Sequence, residues 1–172
     1  LLFGLIALLF MLALFKSATI AAKTCWSPLT LSLIAALTCG VVAIFVPEIL
    51  GSGVSEIKQI FDGGYALWFL VLLCVLKLLA TSLCIGFGLF GGVFSPAAMI
   101  GAAAGGFIGK FIASLGLVTV PHLLPVAGFA AVTAAVVGAP ISVVLVVFEL
   151  TQSYEFAVAA MLAAVIATFF PT

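Results

Sequence analysis

Long apolar runs, broken by glycine, proline and a few polar clusters, organise this sequence. The first run spans Leu1 to about Ala22, with Lys16 and Lys23 marking its far end. The second spans about Leu29 to Val46 and is stopped by Pro47 and Glu48. A polar stretch from Gly51 to Gly64 follows. Its inner part, Val54 to Phe61, reads as a short amphipathic helix with Val54, Ile57, Ile60 and Phe61 on one face. The third run spans about Tyr65 to Ile85, with Lys77 near its centre. A glycine-rich break, Gly86 to Gly92, separates it from a fourth run of about Phe94 to Leu115. A joint at Pro121 to Pro125 leads to a fifth run, about Val126 to Val137. After Gly138-Ala139-Pro140 comes a sixth, Pro140 to about Leu150. The seventh begins after Thr151-Gln152-Ser153-Tyr154 and runs to Phe170.

A bilayer crossing needs about 20 apolar residues. Runs one to four meet that length; runs five and six hold only about a dozen residues each. Short apolar segments interrupted by glycine and proline mark transporters built from broken helices. Such breaks leave backbone N–H and C=O groups without partners at membrane depth, which is tolerable only inside protein or along a polar cavity. The pattern therefore points to an all-α, polytopic membrane protein with broken and re-entrant helices, and to a translocation pathway rather than a simple anchor.

Composition strengthens that reading. Of the 172 residues, 67% are hydrophobic and 6% are charged, too few polar side chains to coat a soluble fold. The runs are continuous, which excludes the alternating strands of a membrane β-barrel. Five basic and five acidic residues cancel, and every basic residue is lysine. With no basic cluster, nucleic acid is excluded as a partner. The lipid bilayer is the expected surroundings, although five lysines set no firm orientation. The chain opens on Leu1-Leu2-Phe3 and ends on Phe170-Pro171-Thr172, so residues 1–172 read as one transmembrane region cut from a longer polypeptide.

Candidate chemistry concentrates between Gly86 and Pro96. Glycines at 86, 88, 91 and 92 permit backbone shapes and close approaches that other residues forbid. Pro96 falls in the first turn of the next helix, where a missing N–H is harmless. That helix begins at about Val93 or Phe94. The N–H groups of Val93, Phe94 and Ser95 then have no helical acceptor and carry the positive end of the helix dipole. No acid stands nearby to satisfy them. Such a terminus binds anions. The competing reading is a plain glycine turn with water or a loop carbonyl on those amides.

Other features read as structural first. Gly101, Gly105 and Gly109 recur every four residues and form one small-residue face for close helix packing. Lys77, an ionisable group in mid-run, serves either an ion pathway or the capping of backbone carbonyls on a neighbouring short helix. Glu149 is expected to pair with Lys77 or Lys110, or to cap the seventh run. His122 reads as an interfacial loop residue. The cysteines at 25, 39, 74 and 84 contain no C-x-x-C pair, so they read as small apolar packing residues rather than zinc or redox groups. Hydrolase, zincin and P-loop motifs are absent, so the chain is not expected to be an enzyme or to hold a metal or cofactor.

The ordered motifs resemble a known family. Lys77-x-x-x-Thr81, Gly86-x-Gly88, Gly91-Gly92-Val93-Phe94-Ser95-Pro96 and Gly101-Ala102 follow one another as in the CLC family of voltage-gated chloride channels and chloride/proton exchangers. The G-x-F-x-P signature is Gly92-Val93-Phe94-Ser95-Pro96. Gly138-Ala139-Pro140-Ile141-Ser142 and Phe148-Glu149-Leu150-Thr151 match a later motif, and Pro47-Glu48-Ile49-Leu50-Gly51 an earlier one.

The resemblance implies the C-terminal half of an inverted-repeat pore, in a homodimer with one anion pathway per subunit. It implies chloride as the transported ligand, bound by the N–H groups of Val93 and Phe94, with Gly91, Gly92, Ser95 and Pro96 shaping the helix start. It implies that the gating glutamate, inner serine and pore tyrosine of the family stand outside this chain, in the missing N-terminal half or beyond Thr172. It also implies a dimer contact beside Thr151–Tyr154, with Ile141, Leu145, Phe156 and Ala157 as outward candidates. Gly51-Ser52-Gly53-Val54 mimics the serine motif without its proline, so Ser52 is taken as a decoy. Phe87, Leu89 and Phe90 stand where the family often has small polar residues. The alternatives to chloride movement are a truncated, non-conducting membrane protein that packs or dimerises, and a different inverted-repeat transporter.

Overall fold

Each apolar run becomes a helix, and local chemistry sets where it starts and stops. A computed structural model describes residues 2–24, 26–116 and 122–168. α1 is Leu2–Lys23 and α2 is Pro28–Phe45. Ser27 caps α2: its Oγ accepts the N–H of Thr30 at 3.3 Å, and Pro28 takes the first helical position. Pro47–Ile49 forms a single 3₁₀ turn, and α3 is Val54–Phe61. The longer helices α4, Leu67–Gly86, and α5, Phe94–Ser114, follow. α6 is Leu123–Val137, α7 Pro140–Thr151 and α8 Tyr154–Thr168. Among the described residues there is no strand. α1, α2, α4 and α5 are long and apolar enough to cross a membrane; α6, α7 and α8 are shorter apolar helices.

The observed boundaries shift the expected ones slightly. α6 begins at Leu123 rather than Val126, because Pro125 is accommodated in a first turn, where its missing N–H had no partner. Tyr65 precedes α4 instead of opening it. The expected end of the last run at Phe170 lies outside the described residues. Val54 is a clearer correction: it is 46% exposed while Ile57, Ile60 and Phe61 are buried. The inward place at that end of α3 is taken by buried Gly53, where a Cβ would stand 2.8 Å from Met99 Sδ.

α5 is the axis of the core. Every residue from Pro96 to Gly106 is buried. The larger cluster joins Leu70 and Leu73 of α4, Met99 and Ala102 of α5, Phe129 and Ala130 of α6, Val143 and Val147 of α7, and Ala160 and Ala164 of α8. A smaller one joins Ala7 and Phe10 of α1 to Ala97 and Ile100 of α5 and Val132 of α6. The small-residue face expected at Gly101 and Gly105 brings α5 and α6 together. A Cβ on Gly101 would lie 2.3 Å from Gly128 O, and one on Gly105 would lie 2.1 Å from Leu124 O. Only glycine allows backbones this near. α1 meets α4 the same way: Ser17 Oγ donates to Ser82 O at 2.6 Å, against Gly86. The outward faces of α1 and α2 carry large apolar side chains, among them Leu12, Phe15, Leu37 and Ile44.

Candidate anion-binding site

The α4–α5 connection builds the site. α4 closes in a glycine-capped turn, in which Leu89 N–H donates to Cys84 O at 2.9 Å and Gly88 N–H to Ile85 O at 3.1 Å. Gly88 takes φ +88°, the left-handed shape this cap demands. α5 then starts at Phe94, as its glycine and proline spacing predicts. Ala97 is the first residue to donate back, to Val93 O at 3.1 Å. Among the described residues, the N–H groups of Val93, Phe94 and Ser95 donate to no protein acceptor, and no side chain caps the helix. Val93 packs on the smaller cluster and Phe94 on the larger. Two consecutive side chains seated in two cores hold the backbone between them in place.

A cavity of about 370 Å³ lies against this helix start. Gly91, Gly92, Ser95 and Pro96 form part of its wall. Val93 and Phe94 do not; they lie between these two wall-forming pairs, with half-buried side chains packed against the two clusters. Lys77 and Thr81, one turn apart on α4, join the wall together with the linker from Ile49 to Ser52, Cys39 of α2, and Ala80, Cys84 and Ile85 of α4. Among the described residues no acidic side chain lines the cavity.

Lys77 resolves in favour of capping. Its Nζ donates to Ile49 O at 2.6 Å and to Gly51 O at 3.1 Å, at the end of the 3₁₀ turn. The side chain is buried, 4% exposed. An ammonium has three donors, so two carbonyls leave one N–H unassigned beside the cavity. Ser95 Oγ donates to Ser52 O. Ser52, set aside as a decoy, therefore meets the α5 start through its backbone carbonyl. No local signal in Gly51-Ser52-Gly53 foretells this contact, because its partner lies 43 residues away.

Other expected residues fall elsewhere. Lys110 donates to Gly63 O at 2.9 Å and also to Tyr65 O, holding the turn that leads into α4. The pairing of Glu149 with Lys77 or Lys110 is thus not made: both lysines end on carbonyls, and Glu149 is exposed. His122 Nδ1 lies 2.6 Å from Phe61 O, stitching the start of α6 to the end of α3. It borders a separate cavity of about 400 Å³ that also has Lys58 and Asp62 in its wall. Among the described residues no three His, Cys, Asp or Glu side chains gather as a metal site would require. Cys39 and Cys84 do meet, with Sγ···Sγ 3.3 Å, in the wall of the first cavity. Their 45-residue separation gave no sign of it.

A helix start with free amides and a buried lysine makes this wall electropositive. Comparison with known proteins places the chain as a whole. The family profile described as Voltage gated chloride channel matches residues 1–172. The chain belongs to that family. It is an integral, multi-pass membrane protein, consistent with the four helices long enough to cross. The chain is 38% identical over 120 residues to the H(+)/Cl(-) exchange transporter ClcA of Vibrio cholerae, a match covering 67% of this chain and 25% of that protein. It is 34% identical over 132 residues to the chloride channel protein CLC-f of Arabidopsis thaliana, covering 69% of this chain and 17% of that one. The chain thus spans about a quarter or less of the length of these relatives. Their names describe a transporter and a channel, not an enzyme.

Proposed function

We propose that this chain supplies one side of a chloride pathway, with the anion held by the backbone N–H groups of Val93 and Phe94. The observation that carries this reading is the run of unpartnered amides on Val93, Phe94 and Ser95 at the α5 start, beside a cavity whose wall contains Lys77 and, among the described residues, no acidic side chain. Fixed N–H dipoles suit an ion that must also leave. They bind through several modest contacts, without covalent chemistry, and need no cofactor or metal. Gly91 and Gly92 keep the approach free of side chains, while Ser95 and Pro96 set the first turn. Membership of the voltage-gated chloride channel family supports chloride over other anions, and the relatives' names cover both a channel and a proton-coupled antiporter.

The rest of the pathway would come from the N-terminal half of the same polypeptide, with this chain acting as the C-terminal half of the membrane domain. The outward apolar face of α7 and α8 supports a homodimer contact. Ile141 and Leu145 are exposed there, beside Met161 and Val165, while Phe156 and Ala157 are only partly exposed.

The test is chloride binding and flux by the full polypeptide carrying Phe94→Pro, with Phe94→Ala beside it. Both variants lose the ring, but only proline loses the amide; proline also strains Val93, whose φ −88° and ψ −21° are disfavoured before a proline, so the two variants are compared at matched denaturation midpoints. A charge-assisted hydrogen bond is worth about 1.5–3 kcal/mol. Chloride affinity should therefore fall roughly ten- to hundredfold further in the proline variant than in the alanine variant. Equal affinity in the two variants overturns the site.

A further inference from the structure

We propose that Cys39 and Cys84 are a redox-sensitive thiol pair in the cavity wall, taking a peroxide as oxidant and closing to a disulfide that ties α2 to α4. The two sulfurs lie 3.3 Å apart, and both residues line the cavity, so a water-borne oxidant reaches them. A disulfide needs about 2.05 Å between sulfurs. The remaining approach of about 1.3 Å is within the reach of thiol rotation about two Cα–Cβ bonds. Neither thiol is committed to a strong partner: Cys39 Sγ makes one long contact, 3.8 Å, to Ala80 O.

The reaction balances with one peroxide. One thiol attacks the O–O bond of hydrogen peroxide, giving a sulfenic acid and water; the second thiol displaces hydroxide from that sulfur, which leaves as water with the second thiol's proton. Two electrons pass from the sulfur pair to the peroxide. A dithiol reductant reverses the bond by exchange.

The position gives the bond a consequence. α2 is held to α4 and its connection by few polar contacts, chiefly Ser32 Oγ donating to Phe87 O at 3.1 Å. Cys84 stands in the last turn of α4, and its carbonyl anchors the cap at Leu89 from which the chain runs to the α5 start. A covalent tie at that turn fixes α2 against the wall that also contains Gly91, Gly92 and Ser95. Oxidation therefore changes anion occupancy of the cavity, a consequence that rests on the chloride reading above. Cys74 is a built-in control. It also lies on α4, but its Sγ points to Ile100 O at 3.9 Å and has no thiol neighbour among the described residues.

The experiment treats the full polypeptide in detergent with hydrogen peroxide, alkylates the remaining thiols and maps the peptides by mass. The expected result is a Cys39–Cys84 linked peptide, with Cys74 still alkylated. The link should vanish in Cys39→Ser and Cys84→Ser. Chloride flux in reconstituted vesicles should change at least twofold on oxidation, return with dithiothreitol, and not respond in Cys39→Ser. Full alkylation of Cys39 and Cys84 after peroxide overturns the pair. A mapped link with unchanged flux overturns its coupling to the cavity. The mass readout does not depend on chloride, so failure of the chloride site leaves it intact and distinguishable.

Discussion

Lys77 Nζ lies 2.6 Å from the carbonyl oxygen of Ile49, so a cation in the middle of one crossing helix caps the 3₁₀ turn that follows another, α2. The same ammonium takes Gly51 O at 3.1 Å. One side chain thus satisfies two backbone carbonyls and stands in the cavity wall beside the α5 start. Replacing it with methionine keeps an unbranched apolar stem and removes the ammonium that makes both bonds. Each lost bond to a charged group is worth about 1.5–3 kcal/mol. Lys77→Met should lower the unfolding free energy by several kcal/mol in a denaturant titration and weaken chloride binding at the same time. Unchanged stability would remove Lys77 from its capping role.

Ser95 links the first turn of α5 to the linker at Ser52. Ser95→Ala removes one neutral donor and leaves the helix amides in place. A typical hydrogen bond contributes about 0.5–1.5 kcal/mol. Chloride affinity should therefore drop only about two- to tenfold, through a looser wall. The loss should be smaller than that of Phe94→Pro measured against Phe94→Ala. Isothermal titration of the three variants in one detergent checks the order. A larger loss in Ser95→Ala would give the hydroxyl a direct part in holding the ion.

Much of this arrangement is readable from the residues in order. Apolar length gives the four long helices, and the spacing of Gly91-Gly92 before Pro96 gives the start of α5 because both residues act on their own backbone. Gly101 and Gly105 announce a close approach for the same reason. What the sequence conceals is convergence. Ser52, Cys39 and Lys77 reach one cavity from three elements, and their partners lie 43, 45 and 28 residues away. Lys77 illustrates the limit: its burial is legible from the apolar run around it, but its choice of Ile49 and Gly51 over Glu149 depends on where the 3₁₀ turn docks. Val54 fails for a related reason, since periodicity assigns it inward while Gly53 has already taken that place against Met99.

Two glycines separate packing from the site. At Gly105 an added Cβ would sit 2.1 Å from Leu124 O, a backbone atom that can move only if α5 and α6 part. Overpacking of this kind costs about 1–3 kcal/mol, and more where backbone must shift. At Gly92 nothing lies within 4 Å. Gly105→Ala should lower the denaturation midpoint clearly, whereas Gly92→Ala should stay within about 0.5 kcal/mol of the parent, as exposed substitutions usually do. A change in chloride affinity in Gly92→Ala then reports on the cavity wall alone. Equal destabilisation of the two variants would contradict the α5–α6 contact.

Tyr65 gives the fold a pH dependence with a definite sign. It lies just before α4, its ring stacked on Phe69 with centroids 5.2 Å apart, and its carbonyl accepts from Lys110. Burial raises its phenol above the ordinary value of 10.0, and the negative charges of Glu56 and Glu48 raise it further. The folded protein therefore keeps its proton at a pH where the unfolded chain has begun to lose it. Stability from this group is fully present below pH 10.0 and declines as pH rises through the higher folded value. Unfolding measured from neutral pH to beyond pH 10.0 should show that decline in the parent protein. Tyr65→Phe should flatten this part of the curve while keeping the stacked ring. A curve that falls as steeply in the phenylalanine variant would assign the loss to other groups.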